Sequence, residues 1–166
     1  LGADVSILRM ANLVGPDPFF RFRQKTAFAH ELMEMAVWNR RIVLRSPPST
    51  PRNMLPRTLF HHDVGSLLDR PRVEGRVEVF NLGSCSTSSV LDMAVQISQI
   101  AENYHGHGVG IEYPDESTPQ PTFHLDTTRI RSLAGPAPDD LEAELSMILE
   151  DVCASRDETR AEGRQL

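Results

Sequence analysis

The run Ile7-Leu8-Arg9-Met10-Ala11-Asn12-Leu13-Val14-Gly15-Pro16 constrains this chain more than any other segment. Val5 to Met10 is a short, branched, apolar stretch of the kind that forms a central strand of a parallel sheet. It ends abruptly in the polar Asn12, and Gly15-Pro16-Asp17-Pro18 then forces a loop. A strand apolar on both faces expects parallel neighbours on both sides. A compact monomer in which such a strand opens the chain is uncomfortable, and the pattern leads us to expect that part of its sheet comes from elsewhere.

The remaining segments alternate between the two periodicities. A helix is predicted from about Lys25 to Asn39, with Phe28, Leu32, Met35 and Ala36 at helical spacing. Ile42 to Leu44 reads as a short strand. Ser46 to Pro56, with Pro47, Pro48, Pro51 and Pro56, reads as an irregular loop. Arg57 to His61 reads as a strand, followed by a short helix from His62-Asp63 through Leu68. Val77 to Leu82 is a strand closed by Gly83, and Ser86, Thr87 and Ser88 offer caps for a helix over about Ser89 to Asn103. Val109 to Tyr113 is a strand, and Pro114 to Pro121 a loop. Asp126 caps a helix over Thr127 to Leu133, and Asp139 caps a last helix with the stripe Leu141, Leu145, Ile148, Leu149 and Val152. Residues 155–166 lack large apolar side chains apart from Leu166 and read as a disordered tail, leaving 1–154 as the folded part. The order is that of a mixed α/β domain with short connections.

Bulk properties narrow the function. At 166 residues the chain is one domain by length. Its mean hydropathy of −0.30 fits a globular chain, and no run approaches the ~18 apolar residues of a membrane span. No leader-peptide pattern is visible at its start. A net charge of −6 disfavours nucleic acid. Cys85 and Cys153 lie far apart with no metal-ligand spacing, so two free thiols in a reducing cytoplasm are expected. His61 and His62 are adjacent and diverge if on a strand, and His105 and His107 lack a third ligand nearby, so no metal site is expected. Gly106-His107-Gly108-Val109-Gly110 precedes a strand, lacks a helix N-terminus to hold a pyrophosphate, and reads as a plain turn.

Four segments, in order, carry a resemblance. Leu8-Arg9-Met10-Ala11-Asn12-Leu13-Val14-Gly15-Pro16 is similar to an "LRxxNxxGP" segment. Arg57-Thr58-Leu59-Phe60-His61-His62-Asp63-Val64 is similar to "RxxxHxxDV", Val79-Phe80-Asn81-Leu82-Gly83-Ser84 to "xFNxGs", and Leu125-Asp126-Thr127-Thr128-Arg129-Ile130-Arg131-Ser132-Leu133 to "lDxsRxrxlG". Together they resemble the extended short-chain dehydrogenase/reductase family, the NAD-dependent epimerases and dehydratases, over residues 1 to about 152. In that family the first segment lies midway along the chain. The resemblance therefore implies the C-terminal part of a Rossmann-type enzyme: the end strands of its parallel sheet plus a small mixed α/β substrate-binding domain.

What is missing fits that placement. The family's tyrosine general acid/base is followed four residues later by lysine. Here Tyr104 leads into His-Gly-His-Gly, Tyr113 into Pro-Asp-Glu-Ser, and the only lysine is Lys25. No glycine-rich phosphate turn lies between an early strand and a helix. The chain is thus expected to hold no catalytic residue, and NAD or NADP is expected to bind mainly to a segment absent from it.

The resemblance also implies particular positions. Met10 and Ala11 match places where family backbones pass the nicotinamide. Asn12 matches a substrate-binding amide; an Asn there also suits a loop cap bonded to backbone. Thr26, Ala27 and Phe28 fall where the family's first C-terminal helix meets substrate, although Phe28 equally fits the helix core. Arg57 matches an arginine that grips a diphosphate through bidentate bonds. Counting back from Asp63 puts Pro56 at that place, and Arg52 is the other candidate. The Arg and Asp that nucleotide-sugar members carry before "lDxsR" are Ser117 and Gln120 here, which weakens a nucleotide sugar as substrate.

The expected function is the substrate-binding portion of an NAD(P)-dependent epimerase, dehydratase or reductase acting on a sugar or other hydroxylated small molecule, with the isolated chain inactive. Its partner is then a missing N-terminal domain or a second chain, with homo-oligomerisation open. The alternative is a non-catalytic binding or assembly subunit derived from this fold.

Overall fold

The computed structural model describes residues 2–17, 27–115, 120–136 and 140–162, with side chains as far as Ser155. Strand β1 (Val5–Met10) is the apolar run that opens the chain, and it lies parallel to β5 (Val77–Leu82), with Val5 opposite Val77 and Met10 opposite Leu82. The Val5 N–H donates to Arg76 O and the Ala11 N–H to Leu82 O, so pairing with β5 runs to the end of the strand. At Ala11 the chain changes partner. Strand β2 (Asn12–Val14) pairs in parallel with β4 (Pro51–Pro56), which pairs antiparallel with β6 (Thr87–Ser89). A third ribbon joins β3 (Arg41–Val43) in parallel to β7 (Gly110–Glu112).

The helices divide the interior into two cores. Helices α1 (Phe28–Asn39), α3 (Val90–His105) and α5 (Leu141–Glu162) enclose the larger one, in which Met33, Ala36, Ile42, Ile97, Leu145 and Ile148 are fully buried. Helices α2 (Arg57–Asp69) and α4 (Thr128–Ala134) cover one face of β5 and make the smaller core around Leu55, Leu59, Phe80, Leu82 and Ile130, with Leu8 of β1 packed against it. The opposite face is bare among the described residues: Val5 and Ile7 of β1 are 39% and 46% exposed and Val77 of β5 is 63% exposed. The edge of β1 away from β5 pairs with no described strand.

Helix ends follow their local chemistry. Ser89 caps α3 in a reciprocal box, accepting from the Asp92 N–H at 3.0 Å while the Asp92 carboxylate accepts from the Ser89 N–H at 2.9 Å. Gly106 ends α3 with φ 71°, a left-handed cap within the segment read as a plain turn. Asp126 accepts from the Thr128 N–H at 3.0 Å, and that bond holds its carboxyl below the usual range.

Two expectations are overturned. Residues 51–56 form strand β4 rather than loop, and Arg57–His61 is the first part of α2 rather than a strand. The prolines bracket the strand instead of breaking it, because Pro51 is its first residue and Pro56 its last, positions where a missing N–H is tolerated. Leu59, Asp63 and Leu67 recur every four residues and all are buried, which makes them one face of a helix. His61 and His62 therefore lie on α2. Strand β2 lies between the expected end of the first strand and the loop read at Gly15-Pro16-Asp17-Pro18, on residues assigned to no element, and α5 runs to Glu162, through part of the stretch read as a tail.

Candidate active-site cavity

A cavity of about 370 Å³ opens beyond the carboxyl ends of β1 and β2, where open α/β sheets bind their ligands. Its walls come from three places. Asn12 to Asp17 supply one side, the first turn of α1 with Phe28 and His30 a second, and Met54 and Arg57 at the β4–α2 junction the third. The first turn of α1 has no side-chain cap, since its N-cap position is Ala27. Helical N–H groups at such a start suit an oxygen-rich ligand.

Three of the expected site residues meet here. Asn12, Phe28 and Arg57 all line the cavity. The Asn12 amide N–H donates to the Asn53 backbone oxygen at 3.0 Å, which ties β2 to β4 and leaves the amide oxygen as an acceptor. Phe28 packs on the larger core while bordering the cavity, so the helix-core and cavity readings both describe it. The Arg52 guanidinium lies 5.9 Å from the Phe28 ring centroid, within cation–π reach. Thr26 lies outside the described residues. Met10 and Ala11 are not in the cavity wall. Met10 is half exposed at the end of β1, and the Ala11 N–H is committed to Leu82 O.

Other residues that shape the cavity carry no local sequence signal. Glu144 reaches from α5 with 1% exposure, and its carboxylate accepts from the Thr58 N–H at 2.9 Å and lies 3.6 Å from Arg57 Nε. A Cβ on Gly15 would lie 2.8 Å from both the Arg57 Cβ and the Glu144 Oε2, so these three groups are in close packing. The Asp17 N–H donates to Asp151 at 3.0 Å, again from α5. Asn53, 3% exposed, donates to Ser84 O and Ser86 O at 2.9 and 2.8 Å and accepts from the Ser84 N–H at 3.1 Å, which fixes the loop after β5.

The strongest charge network lies at the other end of the sheet. Asp4 accepts from Arg76 Nε at 3.0 Å and from the Val73 N–H at 2.9 Å, and these bonds lower its pKa to about 2. Glu78 is held below its usual range by Arg70, with Arg129 and Arg76 adding to the effect. This network pins the amino ends of β1 and β5, away from the cavity. Among the described residues no group of His, Cys, Asp and Glu side chains is arranged to hold a metal ion, and no helix is long and apolar enough to cross a membrane.

Solved structures match this architecture. UDP-glucuronic acid 4-epimerase from Bacillus cereus, in complex with UDP-glucuronic acid and NAD, superposes with a TM-score of 0.66 at 19% identity, covering 90% of this chain and 45% of that one. This is the fold of the extended short-chain dehydrogenases. UDP-N-acetylglucosamine 4-epimerase from the same organism gives 0.67 at 16% identity, with 89% and 45% covered. RMD from Pseudomonas aeruginosa, complexed with NADPH, gives 0.66 at 17% identity, with 90% and 48% covered. The chain thus spans just under half the length of the structures it matches. No protein-family model matches it, and no curated protein matches its sequence. The α/β class and the Rossmann-type, extended short-chain dehydrogenase architecture implied by the sequence motifs agree with these superpositions.

Proposed function

We propose that this chain is the substrate-binding part of an NAD(P)-dependent enzyme that acts on a hydroxylated small molecule of the sugar type. The observation that carries the reading is the bare edge and bare apolar face of the β1–β5 pair beside a cavity at the strands' carboxyl ends. Val5, Ile7 and Val77 leave a surface of the kind that a covering layer buries. A nucleotide-binding domain continuing the parallel sheet from β1 would cover it and would bring a cofactor to the end of that strand.

The residues present suit part of that task. Half-exposed Met10 and the chain at Ala11 suit a passing contact with a nicotinamide ring, whereas no described turn suits a pyrophosphate. A bound oxidised nicotinamide would supply hydride-acceptor chemistry at a substrate carbon bearing a hydroxyl. This chain's residues hold the substrate: the Asn12 amide oxygen accepts from a hydroxyl, Arg57 donates N–H groups to oxygen, and Phe28 packs against an apolar sugar face. Their contribution is orientation, which converts a chance encounter into a positioned one.

The test is the native gene product purified from its own cell, weighed intact and titrated with NADH and NADPH. The reading expects a mass well above 18.6 kDa, by on the order of 150 residues, and saturable nicotinamide binding. A product of 18.6 kDa that copurifies with no nucleotide-binding chain and binds neither nucleotide would overturn it, and would favour an assembly subunit instead.

A further inference from the structure

Glu144 is an expensive residue to bury. It is 1% exposed, and its Oε2 has no hydrogen-bond partner among the described residues, its nearest cation being Arg57 Nε at 3.6 Å. Its Oε1 accepts from the Thr58 N–H at the start of α2. A glutamine would accept that hydrogen bond equally well without the desolvation cost of a charge. What only a carboxylate adds is a negative charge behind Gly15, in the cavity wall, and beside Arg57.

We propose that Glu144 is a positioning residue that sets the charge preference of this cavity: by countering Arg57, it fits that wall to an uncharged, hydroxyl-bearing group and disfavours an anionic one such as a phosphate. The inference rests on the reading of the cavity as a substrate site. An anion beside Arg57 meets the attraction of the guanidinium and the repulsion of a carboxylate that water hardly screens. A hydroxyl carries no net charge and still uses the guanidinium N–H donors. Arg57 Nη2 also lies 3.6 Å from Met147 Sδ, so the side chain is held on the α5 side. Arg57 thus differs from the free diphosphate clamp that the sequence motif suggests.

The experiment is a double-mutant cycle on the 166-residue chain, read by calorimetric titration with inorganic pyrophosphate. Glu144→Gln is expected to bind pyrophosphate about tenfold tighter than wild type, and the gain should vanish in Glu144→Gln/Arg57→Gln. A merely structural role would weaken binding and would not produce a gain that depends on Arg57. Equal or weaker binding by Glu144→Gln, including no binding by either protein, overturns the proposal, as does a gain that survives loss of Arg57. If circular dichroism shows Glu144→Gln unfolded, Arg57→Gln alone decides. Left facing an uncountered Glu144, that variant should bind pyrophosphate at least about threefold more weakly than wild type, and an unchanged or tighter affinity overturns the proposal. Failure of the enzyme reading shows separately, as absence of nicotinamide binding by the native product with the pyrophosphate cycle unaffected.

Discussion

Truncating Asn53 to alanine should cost this fold about 2–4 kcal/mol, and the figure can be built bond by bond. The side chain makes two donor bonds and one acceptor bond to the loop after β5. The Ser84 N–H keeps a second partner, Met54 O at 2.9 Å, so its loss adds little. The bond to Ser84 O is buried, and its loss costs about 1–3 kcal/mol. Ser86 is exposed enough for water to replace the amide, so that bond counts for about 1 kcal/mol. Urea denaturation followed by circular dichroism reads the difference as a lower midpoint at unchanged slope. Asn53→Asp keeps the shape but sets a carboxylate oxygen against carbonyl oxygens, so it should destabilise at least as much as Asn53→Ala at neutral pH. An alanine variant within about 0.5 kcal/mol of wild type, or an aspartate variant more stable than the alanine one, would refute the account.

Three further outcomes are expected. Gly83→Ala should destabilise by about 1–3 kcal/mol in the same assay, because its Cβ would run into Leu125 and into Asn53, which is fixed by its hydrogen bonds, and would crowd Ala11. Ser89→Ala removes the α3 capping box and should cost about 1 kcal/mol, read as a lower thermal midpoint. The ion pairs of Asp4 give an acid dependence of defined sign. Its folded pKa of about 2 lies below the ordinary 3.8, so its stabilisation is complete above about pH 4 and is lost as the pH falls towards 2. Thermal midpoints measured from pH 5 to pH 2 should fall less steeply in Asp4→Asn than in wild type.

Where a residue's partners are local, the chain spells out its own structure. The stripes Val90, Ala94, Ile97 and Leu141, Leu145, Ile148 mark α3 and α5, and the largely apolar Val5–Met10 marks β1, whereas the cap of α3 falls at Ser89 rather than at Ser86, Thr87 or Ser88. The readings fail where a distant group decides. Helix α2 starts at Arg57 because Glu144, far along the chain, accepts the Thr58 N–H, and β4 exists because β2 and β6 flank it. Proline counts describe neither event. The cavity was half legible for the same reason. Asn12, Phe28 and Arg57 stand in motifs, whereas Glu144 and Asn53 act through contacts no short window contains.

The pairing of β1 has a consequence for how its missing neighbour can be detected. The Val5 and Ala11 N–H groups both point to β5, and direction alternates along a strand. Ser6, Leu8 and Met10 therefore turn their N–H and C=O groups to the open edge. Amide hydrogen exchange should be fast at these three and slow at Val5, Ile7, Arg9 and Ala11, a two-residue rhythm within one strand. A strand that docks in register silences the fast set, and one that covers the face without pairing leaves the rhythm intact. The open edge thus carries its own record of whether the sheet has been completed.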